Sequence, residues 1–230
     1  MHSLPTASEK PRFVAAMFGR IAGRYDLMNT IMTLGRDDAW RHLLARSVGK
    51  PRTVLDVGTG TGKLASQLAA QLPQARIVGV DFSEPMLRAS ATPRTTPLAA
   101  ADALMLPFPD DSFDAVTSAF LVRNLADVRA GIVEQARVLR SGGSLVVLDT
   151  TPGPHNWLRP LARLYFDRVV PLLGRLIAGD AAAYTYLPAS SAAFLEPEDL
   201  AQVLCMHGLQ DPTVRRLALG CVAVVSARKG

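Results

Sequence analysis

The run Asp56-Val57-Gly58-Thr59-Gly60-Thr61-Gly62 holds the residues whose types and spacing speak most directly of chemistry. Glycines at alternate positions let a backbone turn sharply and approach a ligand that a Cβ would block. An apolar stretch precedes the run and a helical pattern follows it, so the free N–H groups of that helix start face the same ligand. A dinucleotide-binding G-x-G-x-x-G needs glycine at position 63, where Lys63 stands, and no Tyr-x-x-x-Lys pair occurs, so a nicotinamide dehydrogenase is disfavoured. Asp81 ends a second apolar stretch, where a carboxylate accepts hydrogen bonds from both hydroxyls of a ribose. Ser83, followed by Glu84 and Pro85, is the better N-cap for the next helix, which leaves Asp81 to the ligand. Asp102-Ala103 closes a third stretch. Cys205 and Cys221 share no metal-ligand or C-x-x-C spacing and have no nearby His, so they read as two small buried hydrophobes. We find no metal-ligand cluster.

The elements that must hold these residues alternate between strand and helix. Strands are expected at 53–57, 76–80, 98–101, 113–118 and 144–148, with helices at 64–72, 84–91 and 127–139. That alternation argues for βαβ units and a parallel sheet covered on both faces. Residues 213–219 and 221–227 read as two adjacent strands joined at Gly220, an antiparallel end to the sheet. Residues 11–48 read as helical, with Phe13, Met17, Phe18 and Ile21 on one face, and could cap a pocket. A second stretch, 155–195, is rich in apolar and aromatic residues, among them Trp157, Leu161, Leu164, Tyr165 and Ile177. A last helix is expected at 197–207.

The chain has 230 residues, 49% of them hydrophobic, enough for one packed α/β domain spanning 1–230. The formal net charge is +5, but the basic residues are mostly scattered arginines, enriched only at 36–46 and 159–175. Scattered charge reads as solvated surface, so no nucleic-acid partner is expected. The N-terminus is polar without an apolar h-region, and no run of about 18 apolar residues exists. A cytoplasmic protein is expected, with peripheral membrane contact and self-association left open.

The glycine run, with an acidic residue two places before its first glycine, resembles motif I of class I methyltransferases. The resemblance implies S-adenosyl-L-methionine as cofactor, with Asp56 orienting the loop and facing its cationic amine, Asp81 facing its ribose and Asp102-Ala103 its adenine. Beyond this loop the chain is similar to the ubiquinone/menaquinone biosynthesis C-methyltransferase family, from Met17 to Gly230. Tyr25-Asp26-Leu27-Met28-Asn29, Gly35, Trp40-Arg41, Arg123-Asn124, 137–143 and Pro171 to Ser190 carry the likeness. Leu121-Val122, Ala119, Arg140-Ser141 and Phe194-Leu195 depart from the family pattern, the first three positions on the substrate side.

That resemblance implies a Rossmann-like class I methyltransferase with a mostly parallel seven-stranded sheet. It implies methyl transfer to a ring carbon of a prenylated quinol, demethylmenaquinol first. A ubiquinol-pathway benzoquinol, another small-molecule acceptor and a non-catalytic cofactor-binding subunit stay open. Arg123, Asp149 and Tyr184 are the catalytic candidates: Arg123 to stabilise a phenolate, Asp149 as a base, and Tyr184 with Tyr186 to touch the quinol. Asn124 is expected to cap the next helix, and His155 to be incidental. The cofactor set is Asp56, Gly58, Thr59, Gly60, Thr61, Gly62, Asp81, Phe82, Asp102, Ala103, Ala119 and Tyr25, with Asp26 and Tyr25 closing the cap. The 155–195 stretch would hold the prenyl tail as a lid, and its Trp157, Arg159, Arg163, Arg168 and Arg175 would suit a membrane surface.

Overall fold

The computed structural model describes residues 4–93, 95–153, 160, 164–174 and 180–230. Three helices precede the sheet: α1 (Lys10–Ile21), α2 (Tyr25–Thr33) and α3 (Arg36–Ser47). A 3-10 turn over Ala22–Arg24 separates the first two, and Leu34 and Gly35, with φ of 54° and 74°, turn α2 into α3. The sheet has the order β3-β2-β1-β4-β5-β7-β6. Its strands are β1 (Thr53–Val57), β2 (Arg76–Asp81), β3 (Leu98–Ala100), β4 (Phe113–Ala119), β5 (Leu139–Thr150), β6 (Leu209–Leu217) and β7 (Val222–Lys229). The first five are parallel, and β7 runs antiparallel to both β5 and β6, as the sequence leads one to expect. This order places the ends of β1 and β4 side by side where the winding reverses, the place at which such sheets open a ligand crevice.

The helices α4 (Lys63–Gln71), α5 (Glu84–Arg88), α6 (Val128–Val138), α7 (Val170–Leu173), α8 (Ala181–Ala192) and α9 (Pro197–Met206) complete the described elements. Because successive strand residues point to opposite faces, Leu55, Val116 and Val147 join Ile132 of α6 and Leu204 of α9 in one core. Val54, Ala115 and Val146 join Leu44 of α3 and Leu68 of α4 in the other. Burial on both faces is why these strands read as continuous apolar runs rather than alternating ones. A third core fastens α1 and α2, through Met17, Ile21 and Met28, to Val170, Ala183 and Tyr184.

Several boundaries differ from expectation for local reasons. The helix expected to 91 stops at Arg88, where the Ser90 and Thr92 hydroxyls bond each other and Ser90 Oγ takes the Thr92 N–H, a side-chain alternative to the next helical turn. β5 begins five residues earlier than 144, since Leu139 already pairs with Phe113; a register shift follows, and Gly142 takes a φ of 76°. β6 begins at Leu209 because Asp211, at φ 50°, absorbs an irregularity between Gln210 and Thr213. The cysteines are not both buried: Cys205 is exposed and Cys221 half-buried. Leu200, Ala201 and Leu204 fill the inner face of α9, and Cys205 falls outside it. In the 155–195 stretch, His155, Trp157, Arg159, Leu161, Arg163, Arg175 and Ile177 lie outside the described residues. Among the described residues, no helix is long and apolar enough to cross a membrane.

Candidate functional site

The glycine loop connects β1 to α4. Gly58, Gly60 and Gly62 all have positive φ (70°, 58° and 80°), which side-chain-bearing residues adopt only under strain. At Gly58 a Cβ would also stand 2.8 Å from Leu121 Cδ1, so only glycine lets β1 and the segment after β4 meet. The amides of Gly58 and Thr59 donate to the Val80 carbonyl, at 2.8 and 2.9 Å. Asp56 lies beneath the loop. Its carboxylate accepts from Thr59 Oγ1 at 2.7 Å and Thr117 Oγ1 at 3.1 Å. Burial pushes its pKa up to about 7, against those two hydrogen bonds. Thr61 Oγ1 donates to Asp26 Oδ1 at 2.9 Å and so ties α2 to the loop.

A cavity of about 120 Å³ opens above Gly58 and Gly60. Asp81, Phe82, Asp102, Ala103, Ala119 and Tyr25 border it, and α1 covers it with Pro11, Val14, Ala15 and Phe18. Asp56, Thr59, Thr61 and Gly62 are absent from its wall; they build the loop, and Asp56 orients it from below as expected. Ser83 does not cap α5 through its side chain, and its Oγ is buried without a partner on the cavity wall. Asp81 takes over the backbone duty, accepting from the Gly60 and Ser83 amides at 2.8 Å each. A carboxylate offers about four lone-pair sites, so two remain for ligand hydroxyls. Burial raises the Asp81 pKa and the two amides oppose it. Asp102 likewise spends Oδ1 on the Leu104 amide at 2.9 Å. An orphaned hydroxyl, a carboxylate with spare acceptor capacity and a cradle that admits no Cβ fit a ribose-bearing cofactor.

A second cavity, about 580 Å³ and mostly apolar, lies on the other side of Tyr25 and Phe120, which border both. Met32, Trp40, Tyr165, Val170 and Leu187 supply its apolar wall, and Asn29, Arg36, Asp37 and Arg123 its polar groups. Phe120, directly after β4, takes a left-handed conformation, φ 59°, at a backbone cost of about 1–3 kcal/mol. Its ring faces two guanidiniums, with Arg41 Cζ 5.1 Å and Arg123 Cζ 5.8 Å from the centroid. Asp37 is fully buried and accepts from Arg41 Nη1 at 2.5 Å and Lys63 Nζ at 3.3 Å. Burial raises its carboxyl, but Arg41 and Lys63 outweigh that and the pKa is lowered. Lys63, where a dinucleotide motif has glycine, therefore locks α4 to α3.

Among the catalytic candidates the structure separates Arg123 from the other two. Arg123, 6% exposed, borders the large cavity, and its Nε is buried without a hydrogen-bond partner. Asp149 sits behind it and off that wall, taking the Arg123 amide at 3.1 Å, Arg123 Nη1 and the Thr150 amide at 2.8 Å. A carboxylate so committed does not reach a substrate proton, which corrects its reading as a base. Tyr184 borders neither cavity. It is 1% exposed in the third core, its hydroxyl without a partner, and burial pushes its phenol up; it is packing rather than chemistry. Tyr186 donates to Asn124 Oδ1 at 3.3 Å and meets Phe13 at a tilt of 55°, ring centroids 5.2 Å apart. Asn124 does not cap α6, a role held by Asp127; its Nδ2 donates instead to the Phe120 carbonyl at 3.0 Å. Sequence reasoning missed Phe120, Asp37, Lys10 and Met32. Only the i,i+4 spacing of Asp37 and Arg41 offered a signal.

Residues 6–229 match the ubiE/COQ5 methyltransferase family. A demethylmenaquinone methyltransferase of Roseiflexus sp. (strain RS-1) is 42% identical over 226 residues, covering 96% of this chain and 95% of that protein. One from Deinococcus radiodurans is 46% identical over 209 residues, with 88% and 87% covered. The ubiquinone/menaquinone biosynthesis C-methyltransferase of Desulfotalea psychrophila is 41% identical over 216 residues, with 92% and 88% covered. Among solved structures, a SAM-dependent methyltransferase of Thermotoga maritima superposes with a TM-score of 0.67 at 18% identity, over 94% of this chain and 99% of that one, a likeness of fold. A loop that only glycine can form, a β2 carboxylate beside it and these relatives agree, and the chain belongs to the ubiE/COQ5 methyltransferase family, as an S-adenosylmethionine-dependent methyltransferase.

Proposed function

We propose that the protein methylates a ring carbon of a prenylated quinol, demethylmenaquinol first among the candidates. The observation that carries this reading is the pair of cavities sharing Tyr25 and Phe120: a small one at the glycine loop and a large apolar one reaching Arg123. The names of the relatives from Roseiflexus and Deinococcus supply the acceptor class.

When bound, S-adenosylmethionine supplies an electrophilic methyl group on a sulfonium. Asp81 would receive the ribose hydroxyls on its two spare sites, and Phe82, Asp102 and Ala103 would flank the adenine. Tyr25 and Phe120 at the shared wall, with Ala119 on the cofactor side, would hold the two ligands against each other, where orientation supplies much of the rate. The Arg123 guanidinium, which borders the acceptor cavity, would donate to the ring oxygen and stabilise the phenolate left when the hydroxyl proton passes to water; the adjacent carbon is then nucleophilic, and the proton it sheds after methylation restores the hydroxyl. Asp149 fixes Arg123 in place and is a positioning residue. Residues 11–48 act as the cap, and the described part of 155–195 walls the tail cavity through Tyr165, Val170 and Leu187.

The cavity mouth supports peripheral contact with a membrane. Leu34 and Leu219 border the cavity yet are 84% and 73% exposed, and each is held at positive φ, 54° and 57°. Their backbones turn the chain, but side chains this exposed bury little apolar surface within the fold, which favours an apolar partner outside the protein. Exposed Arg36 and Arg168 suit an anionic lipid surface beside them. The test is transfer of labelled methyl from S-adenosylmethionine to a reduced short-tail demethylmenaquinol, with the matching benzoquinol in parallel. Label in the naphthoquinol supports the reading, preference for the benzoquinol moves the acceptor, and label in neither sinks the quinol assignment.

A further inference from the structure

Lys10 opens α1, yet its side chain serves another element. Its Nζ donates to the carbonyls of Arg123 and Leu125, at 2.8 Å each, across 113 and 115 residues of sequence. Those carbonyls flank Asn124 on the short turn after β4. The same turn borders the cofactor cavity with Asn124 and Leu125, and presents Arg123 to the acceptor cavity. From the other side, Asp149 holds the Arg123 amide and guanidinium. One turn therefore has three fastenings: a carboxylate below, Tyr186 on Asn124, and an ammonium arriving from the helix that roofs the cofactor.

We propose that Lys10 is a latch and a positioning residue: closing α1 over the cofactor and fixing Arg123 for reaction are one event. Pro11, Val14, Ala15 and Phe18 cover the cavity, so a cofactor enters or leaves when α1 lifts. Lifting α1 withdraws the ammonium from both carbonyls, and the turn that aims Arg123 loses its upper support. Closure restores them together, so Arg123 is set only when the donor of the methyl group is enclosed. Burial, and then the Arg123 guanidinium, push the Lys10 ammonium below its ordinary range, with Asp149 opposing. The far end of α1 has a different fastening, Arg20 Nε to Asp180 at 2.8 Å, with Arg20 half-exposed and remote from the turn.

This inference rests on the methyltransferase assignment and not on the identity of the acceptor, since its first readouts need no acceptor. Calorimetry with S-adenosylhomocysteine on the full chain would compare Lys10→Met, Lys10→Arg and Arg20→Ala. Lys10→Met should weaken binding and lower kcat by about tenfold or more, with a smaller change in acceptor KM, as loss of two charge-assisted hydrogen bonds implies. Lys10→Arg, which can reach two carbonyls, should restore part of both, and Arg20→Ala should leave both within about twofold. A folded Lys10→Met that binds and turns over within about twofold of the parent overturns the latch, as does an equal loss in Arg20→Ala. Hydrogen exchange on the unaltered protein gives a test that no misfolded variant can spoil. S-adenosylhomocysteine should protect the amides of 10–21 and 122–125 with the same concentration dependence, and protection of one stretch without the other overturns the proposal.

Discussion

The backbone amide and the guanidinium of Arg123 both end on the carboxylate of Asp149, so one buried acid fixes where the arginine sits and where its side chain points. Both residues are nearly inaccessible, and removal of one partner leaves a buried charge uncompensated at a cost of about 3–5 kcal/mol. Asp149→Asn keeps the shape and loses the charge. We expect it to lower kcat by on the order of 10²-fold while acceptor KM changes little, because it disturbs an aim rather than a contact. Steady-state kinetics with the short-tail quinol decide this, and a KM effect without a kcat effect would put Asp149 on the binding surface instead.

Asp56 gives the fold a pH dependence of unusual sign. Its pKa in the folded chain is about 7, above the ordinary value of 3.8, because burial disfavours the charged form. Between those values the folded state holds a proton that the unfolded chain has released, so stability falls as pH rises from about 4 to 7. Asp56→Asn should therefore match the parent near pH 4 and exceed it by ~4 kcal/mol near pH 8. Urea denaturation of the cofactor-free protein at both pH values measures the difference. A variant less stable than the parent at pH 8 would show that the charged carboxylate is welcome beneath the loop.

Tyr184 and the cavity wall are readily confused in sequence and easily separated by experiment. Its hydroxyl is buried with no partner. Tyr184→Phe removes a polar group that nothing satisfies, and should raise stability by about 1 kcal/mol with kcat unchanged. A loss of turnover in this variant would return Tyr184 to the chemistry.

At the cavity mouth, Leu34→Gly relieves a left-handed leucine and should stabilise the isolated protein by about 1 kcal/mol. If the leucine meets lipid, the same change should lower turnover of a long-tail quinol embedded in anionic vesicles several times more than that of a short-tail quinol in solution. Equal effects on the two substrates would leave the exposed leucines without a membrane role.

What was legible in the sequence was local. The loop Gly58 to Gly62, the acids that end β2 and β3 and the paired strands after α9 all show themselves within windows of a few residues. Lys10 with Arg123, or Asp26 with Thr61, join segments far apart in sequence, and no periodicity announces such a pair. Which face of α8 carries Tyr184 and which Tyr186 depends on how that helix rests against α1 and α2. Asp56 fits its motif by type and spacing, yet it serves the loop from below because Thr59 and Thr117 meet it there. Residue type set its chemistry, and packing set its direction.

The order of the sheet bears on how the chain comes to be folded. β7 is the last strand in sequence but lies inside the sheet, between β5 and β6. A nascent chain that has emerged only as far as β6 thus presents β5 as a bare edge, with its row of free amides and carbonyls, a template for joining another chain. Completion of the sheet waits on β7, and β6 has no place to dock until β7 does. The exposed interval therefore runs from the emergence of β5 to the docking of β7, and chaperones that bind free strand edges should engage the chain within it.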